Sequence, residues 1–150
     1  MAACLACDVN AGREPAPGGP IYRDDQWLAD HGIDRFVRGY VVLTPLRHVD
    51  ELADLHPDEA ATLGAVMQKI HAAMRAAIKT ERIYVCSFAE TVHHLHFHLL
   101  PRYADMPGLG PGLVSDLFAG RWSCTLGEAE DAAHRIRAAL ATAGDHAPTD

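Results

Sequence analysis

The sequence predicts an α+β domain, an antiparallel β-sheet carrying one long helix and a C-terminal helix. Three observations predict it. Short β-branched and aromatic runs alternate with turn residues before residue 57 and again after residue 80. One long stretch between them has helical periodicity, and a second helical stretch lies near the C-terminus. Strand runs interrupted by a single long helix suit an antiparallel sheet better than alternating parallel units.

The elements follow in order. Residues 1–19 hold a Cys4-x-x-Cys7 pair, then Pro15, Pro17, Gly18, Gly19 and Pro20, and read as a loop. Ile21 to Asp24 and Gln26 to Ala29 read as a hairpin, and Gly39 to Thr44 as a stronger strand stopped by Pro45. The best helix spans residues 57–79, with Pro57 in its first position and Asp58 and Glu59 complementing its N-terminus. Leu63, Val66, Met67, Ile70, Met74, Ala77 and Ile78 recur on its buried face. Arg82 to Phe88 reads as a central strand and residues 92–100 as another. Residues 103–126 contain Pro107, Gly108, Gly110, Pro111 and Gly112 and read as a long irregular segment; Trp122 and the 108–112 turn could cover a pocket, but the turn is taken as an irregular connection. A helix from Glu128 to Thr142 closes the chain, which reads as one domain over residues 1–150.

Composition narrows the function. The chain has 150 residues, 49% hydrophobic and 22% charged, enough for a real core without disulfide staples. Its formal charge is −7 and its arginines are scattered, which argues against a nucleic-acid-coating surface. No apolar run approaches the roughly 20 residues of a membrane span. The N-terminus lacks the pattern of a signal peptide, so a cytoplasmic location is expected. Four cysteines in a reducing compartment suit thiols or metal ligands more than disulfides.

The segment His93-His94-Leu95-His96-Phe97-His98-Leu99-Leu100-Pro101-Arg102 carries the chemistry. In an extended strand His94, His96 and His98 share one face, each about 6.6 Å from the next. Leu95, Phe97 and Leu99 then face the core. Three readings are open: polar surface, two or three imidazoles on a catalytic metal, or a histidine nucleophile that attacks phosphorus and leaves again. His93 faces away, and Cys86 reads as core rather than reactive.

HLHFHLLPR, residues 94–102, resembles the signature of the histidine triad (HIT) superfamily. GYVVLTPLRHVDELADL, residues 39–55, and IYRDDQWLA, residues 21–29, resemble the family's strand-and-turn and hairpin regions. The resemblance covers residues 1–102, leaving 103–150 as a variable C-terminal part. It implies the HIT fold, a homodimer, and a nucleotide small molecule as substrate, with hydrolysis or nucleotidyl transfer at the α-phosphate. It implies His96 as nucleophile, His98 as phosphate partner, and His94 as orienting or metal-binding residue. Glu90 and Thr91 then fall in the substrate-binding loop, Ala89-Glu90-Thr91-Val92, where many relatives have Gly-Gln-Ser/Thr-Val. An ionised Glu90 cannot donate to phosphate; the position could act as a protonated acid, since burial near other anions raises a carboxyl pKa, or could repel a polyphosphate and favour a different substrate. The acid that commonly grips ribose falls at Gly32, flanked by Asp30 and Asp34. The Cys4-x-x-Cys7 pair is similar to that of the galactose-1-phosphate uridylyltransferase branch, which implies a structural zinc held by Cys4, Cys7, His48 and His94.

Overall fold

The computed structural model describes residues 4–144. Its centre is a five-stranded antiparallel sheet in the order β1-β2-β3-β5-β4. Strands β1 (Tyr22–Arg23) and β2 (Trp27–His31) form the expected hairpin. The Asp24 carboxylate fixes its turn by accepting the backbone N–H groups of Gln26 and Trp27, at 2.8 and 2.7 Å. Strand β3 (Val41–Pro45) joins β2 to β5 (Phe97–Arg102), and β4 (Arg82–Cys86) lies outside β5. The Arg82 strand is therefore an edge strand, where a central one was expected. Its own pattern agrees with the edge, since Ile83 is buried while Arg82 and Val85 are exposed.

Helix α2 (Pro57–Ile78) lies over one face of the sheet beside α4 (Leu126–Gly144). Val41, Leu43, Phe97 and Leu99 of the sheet meet Ile70 and Met74 of α2, and Ala132, Ala133 and Ile136 of α4. Leu95 joins the same cluster, so the apolar face of the histidine segment is where the sequence put it. Glu59 closes the first turn of α2 by accepting the His56 N–H at 2.7 Å. It also takes Arg47 in a two-point ion pair, at 3.0 and 2.7 Å. That clamp ties the chain beside His48 to the start of the helix.

Three segments differ from expectation. The N-terminal loop contains a short helix, α1 (Leu5–Asn10), which follows Cys4 and carries Cys7 in its first turn. Asn10 is buried and holds α1 to β3, donating to Pro45 O at 2.9 Å and accepting from Thr44 Oγ1 at 3.0 Å. The Gly- and Pro-rich segment contains a nine-residue helix, α3 (Gly110–Phe118). Pro111 suits a helix start, and Leu113 and Leu117 are fully buried against Tyr40 and Leu100 on the sheet face opposite α2. Strand β5 begins at Phe97, five residues after the expected 92. The His94 N–H bonds Val92 O and the Leu95 N–H bonds Val49 O, which curls the chain there and denies it a partner strand.

Candidate functional site

His94 is fully buried at the curled entry to β5. Its Nε2 donates to Pro45 O at 3.0 Å, which leaves the Nδ1 lone pair facing the α1 cysteines. Nδ1 lies 3.6 Å from Cys4 Sγ and 3.5 Å from Cys7 Sγ, and Cys7 Sγ lies 3.3 Å from His48 Nδ1. All four donor atoms fall within 4.8 Å of one another. A tetrahedral zinc with ordinary bond lengths puts sulfur and nitrogen about 3.5 Å apart. Two thiols and two imidazoles are a closed structural zinc set in both number and spacing, as the sequence implied. Burial, then the neighbouring Cys4, raises the Cys7 thiol above its ordinary value, and a divalent cation reverses that by favouring thiolate. The carbonyl of Pro45 orients His94 for this role.

The three imidazoles do not share one face at strand spacing. His94 turns to the cysteines. The His96 and His98 rings are only 4.6 Å apart and nearly perpendicular, at 82°. His94 still reaches the other two through its backbone, because its carbonyl accepts His96 Nδ1–H at 2.7 Å. That bond puts the proton on Nδ1 and leaves His96 Nε2 as a free lone pair. His98 Nδ1 shares a 2.6 Å hydrogen bond with the Tyr40 hydroxyl, 58 residues away. When Tyr40 donates, the ring proton sits on His98 Nε2. Burial, with His96 adding to it, pushes His98 down to about 4, so its ring is neutral at neutral pH. Among the described residues only Cys4, Cys7, His48 and His94 form a metal-holding group, so the triad does not converge on a metal of its own.

His96 and His98 line a cavity of about 310 Å³. Leu5, Ala6 and Val9 of α1 form one wall, and Phe36, Phe88 and Phe118 form others. Glu90 and Thr91 both line it and are exposed. Ala89, beside them, has a left-handed backbone with φ of 52°. Holding that shape in an L-residue costs about 1–2 kcal/mol, and such strain gathers at ligand loops.

Gly32 has a steric reason. A Cβ there would lie 2.0 Å from the Tyr40 ring, so the tyrosine occupies the space of a side chain at position 32. Asp30 is 6% exposed and lines the cavity, while Asp34 lines it from the following loop. His31 is fully buried, bonded through Nδ1 to Gly32 O and through Nε2 to the Gly39 N–H, each at 3.0 Å. His93 is exposed, 3.8 Å from Asp50, and takes no part. Cys86 is half-buried beside His98 on the neighbouring strand, its thiol raised by burial. Trp122 packs with the α3 cluster, and Phe118 rather than the 108–112 turn lines the cavity.

Tyr40, Phe88, Phe118 and the α1 wall escaped the sequence reading. Tyr40 read as a strand aromatic, because nothing local marks a bond to His98. Leu113-Leu117 and Val114-Phe118 at helical spacing were the available signal for α3.

Comparison with known proteins places the chain. The HIT domain family matches residues 14–105. An uncharacterised HIT-like protein of Mycobacterium tuberculosis is 32% identical over 117 residues, 74% of this chain and 80% of that one. A zinc-bound histidine triad family protein from Mycobacterium smegmatis has a similar structure, with TM-score 0.71 and 26% identity over 95% of this chain and 96% of that one. A hypothetical histidine triad nucleotide-binding protein from Sulfolobus tokodaii shares the fold, with TM-score 0.74 and 17% identity over 93% of each chain. The triad strand, the cavity beside it and these matches agree, and the chain belongs to the HIT domain family.

Proposed function

We propose that this protein binds a nucleotide in the cavity and acts at its α-phosphate, as a hydrolase or nucleotidyl transferase. The carrying observation is His96, whose Nδ1 is held by the His94 carbonyl while its ring lines the cavity. His96 Nε2 attacks the α-phosphorus, a P–N bond forms, and the P–O or P–N bond to the leaving group breaks with its electron pair. His98, neutral and protonated on Nε2, donates to a phosphate oxygen as charge grows there. Water or another acceptor then attacks phosphorus, the P–N bond to His96 breaks, and the acceptor's proton is released. Substrates of the dinucleoside polyphosphate or nucleoside phosphoramidate type fit this chemistry.

Brief incubation with such nucleotides is expected to give a nucleotidyl adduct on His96 by intact mass spectrometry. His96→Ala is expected to remain folded, lose the adduct and lose turnover by roughly a thousandfold or more. Wild-type turnover in that variant overturns the nucleophile. A second reading, nucleotide binding with weak chemistry, is favoured by Asp30, Asp34 and Glu90 around a cavity that no Lys or Arg lines. AMP binding without adduct or turnover selects it.

The Cys₂His₂ group is read as structural zinc, supported by its donor spacing and by the zinc-bound relative. A homodimer belongs to the same reading and is supported by β4, an edge strand with Val85 exposed. Sedimentation of the full chain as a monomer removes it. No helix among the described residues is long and apolar enough to cross a membrane.

A further inference from the structure

Asp30 is a buried carboxylate without a partner. It is 6% exposed, and no side-chain hydrogen bond or ion pair reaches its carboxylate from the described residues. Yet it lines the cavity. An ionised carboxylate in such a place is costly unless something hydrogen-bonds it. Burial alone raises its pKa, to about 7.

Its position relative to the histidines follows from strand register. Asp30 pairs with Val42, and Val42 pairs with His98. Directly paired residues share a face, so Asp30 and His98 point to the same side of the sheet two strands apart, roughly 10 Å. A nucleotide whose α-phosphate sits at His96 and His98 spans that distance with its base edge. The surroundings agree. Leu5, Val9, Ile33 and Val42 line the cavity, an apolar slot suited to a flat heterocycle.

We infer that Asp30 reads the base of the bound nucleotide and selects guanine, whose adjacent N1–H and 2-amino donors match the two oxygens of one carboxylate. Adenine offers one donor beside a ring-nitrogen acceptor, which repels an ionised carboxylate. Cytosine and uracil likewise lack the paired donors. This inference rests on the reading of the cavity as a nucleotide site.

The test is calorimetric titration of the full-length protein with GMP, inosine monophosphate and AMP at pH 8, where the free carboxyl is ionised. GMP is expected to bind roughly tenfold to a hundredfold more tightly than AMP, the scale of a charge-assisted hydrogen bond. Inosine monophosphate, lacking only the 2-amino group, is expected to lose roughly tenfold against GMP in the unaltered protein. Asp30→Asn is expected to bring the GMP-to-AMP ratio toward unity. AMP binding as tightly as GMP overturns the inference, as does an inosine monophosphate affinity equal to that of GMP. An Asp30→Asn ratio equal to wild type also overturns it. A His96 adduct formed with no base preference overturns the guanine assignment alone. Failure of every nucleotide to bind or react overturns both readings.

Discussion

Tyr40 does two things with one side chain. Its ring fills the space above Gly32, and its hydroxyl meets His98 Nδ1 at 2.6 Å. The residue at 32 and the residue at 40 are therefore one choice: an acid at 32 is incompatible with this tyrosine. Tyr40→Phe keeps the ring and removes the hydroxyl, leaving His98 Nδ1 buried without a partner. A loss of about 1–3 kcal/mol in stability is expected by urea unfolding. If Tyr40 sets the tautomer of His98, the variant also lowers kcat more than it raises KM and alters the pH profile of turnover. An unchanged profile would leave the tyrosine a packing residue. The other residue-scale lesson concerns His94, whose ring and carbonyl serve different sites. The ring joins the cysteines while the carbonyl aims His96. Alternation along a strand could not show this, because the chain is not extended at His94.

At the scale of elements, α1 connects the metal group to the cavity. Cys4 caps the helix and Cys7 lies in its first turn, and Leu5, Ala6 and Val9 on it form a cavity wall. A helix of six residues is too short to be stable alone. Asn10 secures its end through Pro45 and Thr44, and Cys4 and Cys7 place its start at the metal-holding group. Purified protein is expected to hold about one zinc per chain. Stripping the metal is expected to lower the thermal midpoint and to speed hydrogen exchange first in residues 4–10. Zinc-free protein with unchanged exchange in α1 would show that the helix needs no metal. Helix α3 performs the matching task on another side, bringing Phe118 to the cavity while Leu113 and Leu117 anchor it.

For the whole molecule, buried His31, His98 and Asp30 shape stability against pH, with opposite signs. His31 and His98 are held below their ordinary values, chiefly by burial. The unfolded chain then binds more protons below pH 6.5, so their contribution is present above that pH and is lost as pH falls. Asp30 is pushed up to about 7, so its folded form binds more protons between 3.8 and about 7. It therefore destabilises the fold increasingly as pH rises through that window. Asp30→Asn is expected to be more stable than wild type at pH 8 by urea unfolding, with the gap closing as pH falls toward 4. A gap independent of pH would show that Asp30 does not titrate as a buried carboxyl. Low Asp30 stability is a reasonable cost where a ligand supplies the missing donors.

Much of this protein is legible in its sequence because the signals are local. Helix α2 announces itself through spacing and Pro57, and the hairpin through its two short runs at residues 21–24 and 26–29. The core side of the triad follows from Leu95, Phe97 and Leu99. The Cys₂His₂ set was reached by resemblance, and the fold brought its atoms together. The rest depended on contacts between residues far apart in the chain. Strand order put β4 at the edge, since pairing partners are set by packing and not by a strand's own residues. Helices α1 and α3 were hidden by Gly, Pro and short length, and they exist because buried Asn10, Leu113 and Leu117 found the sheet. The sequence by itself determined the helix-on-sheet class and the run of three alternating histidines at the head of its last strand. Only the tertiary structure divided their work, because that division is made by Tyr40, Pro45 and the cysteines, which no local pattern ties to them.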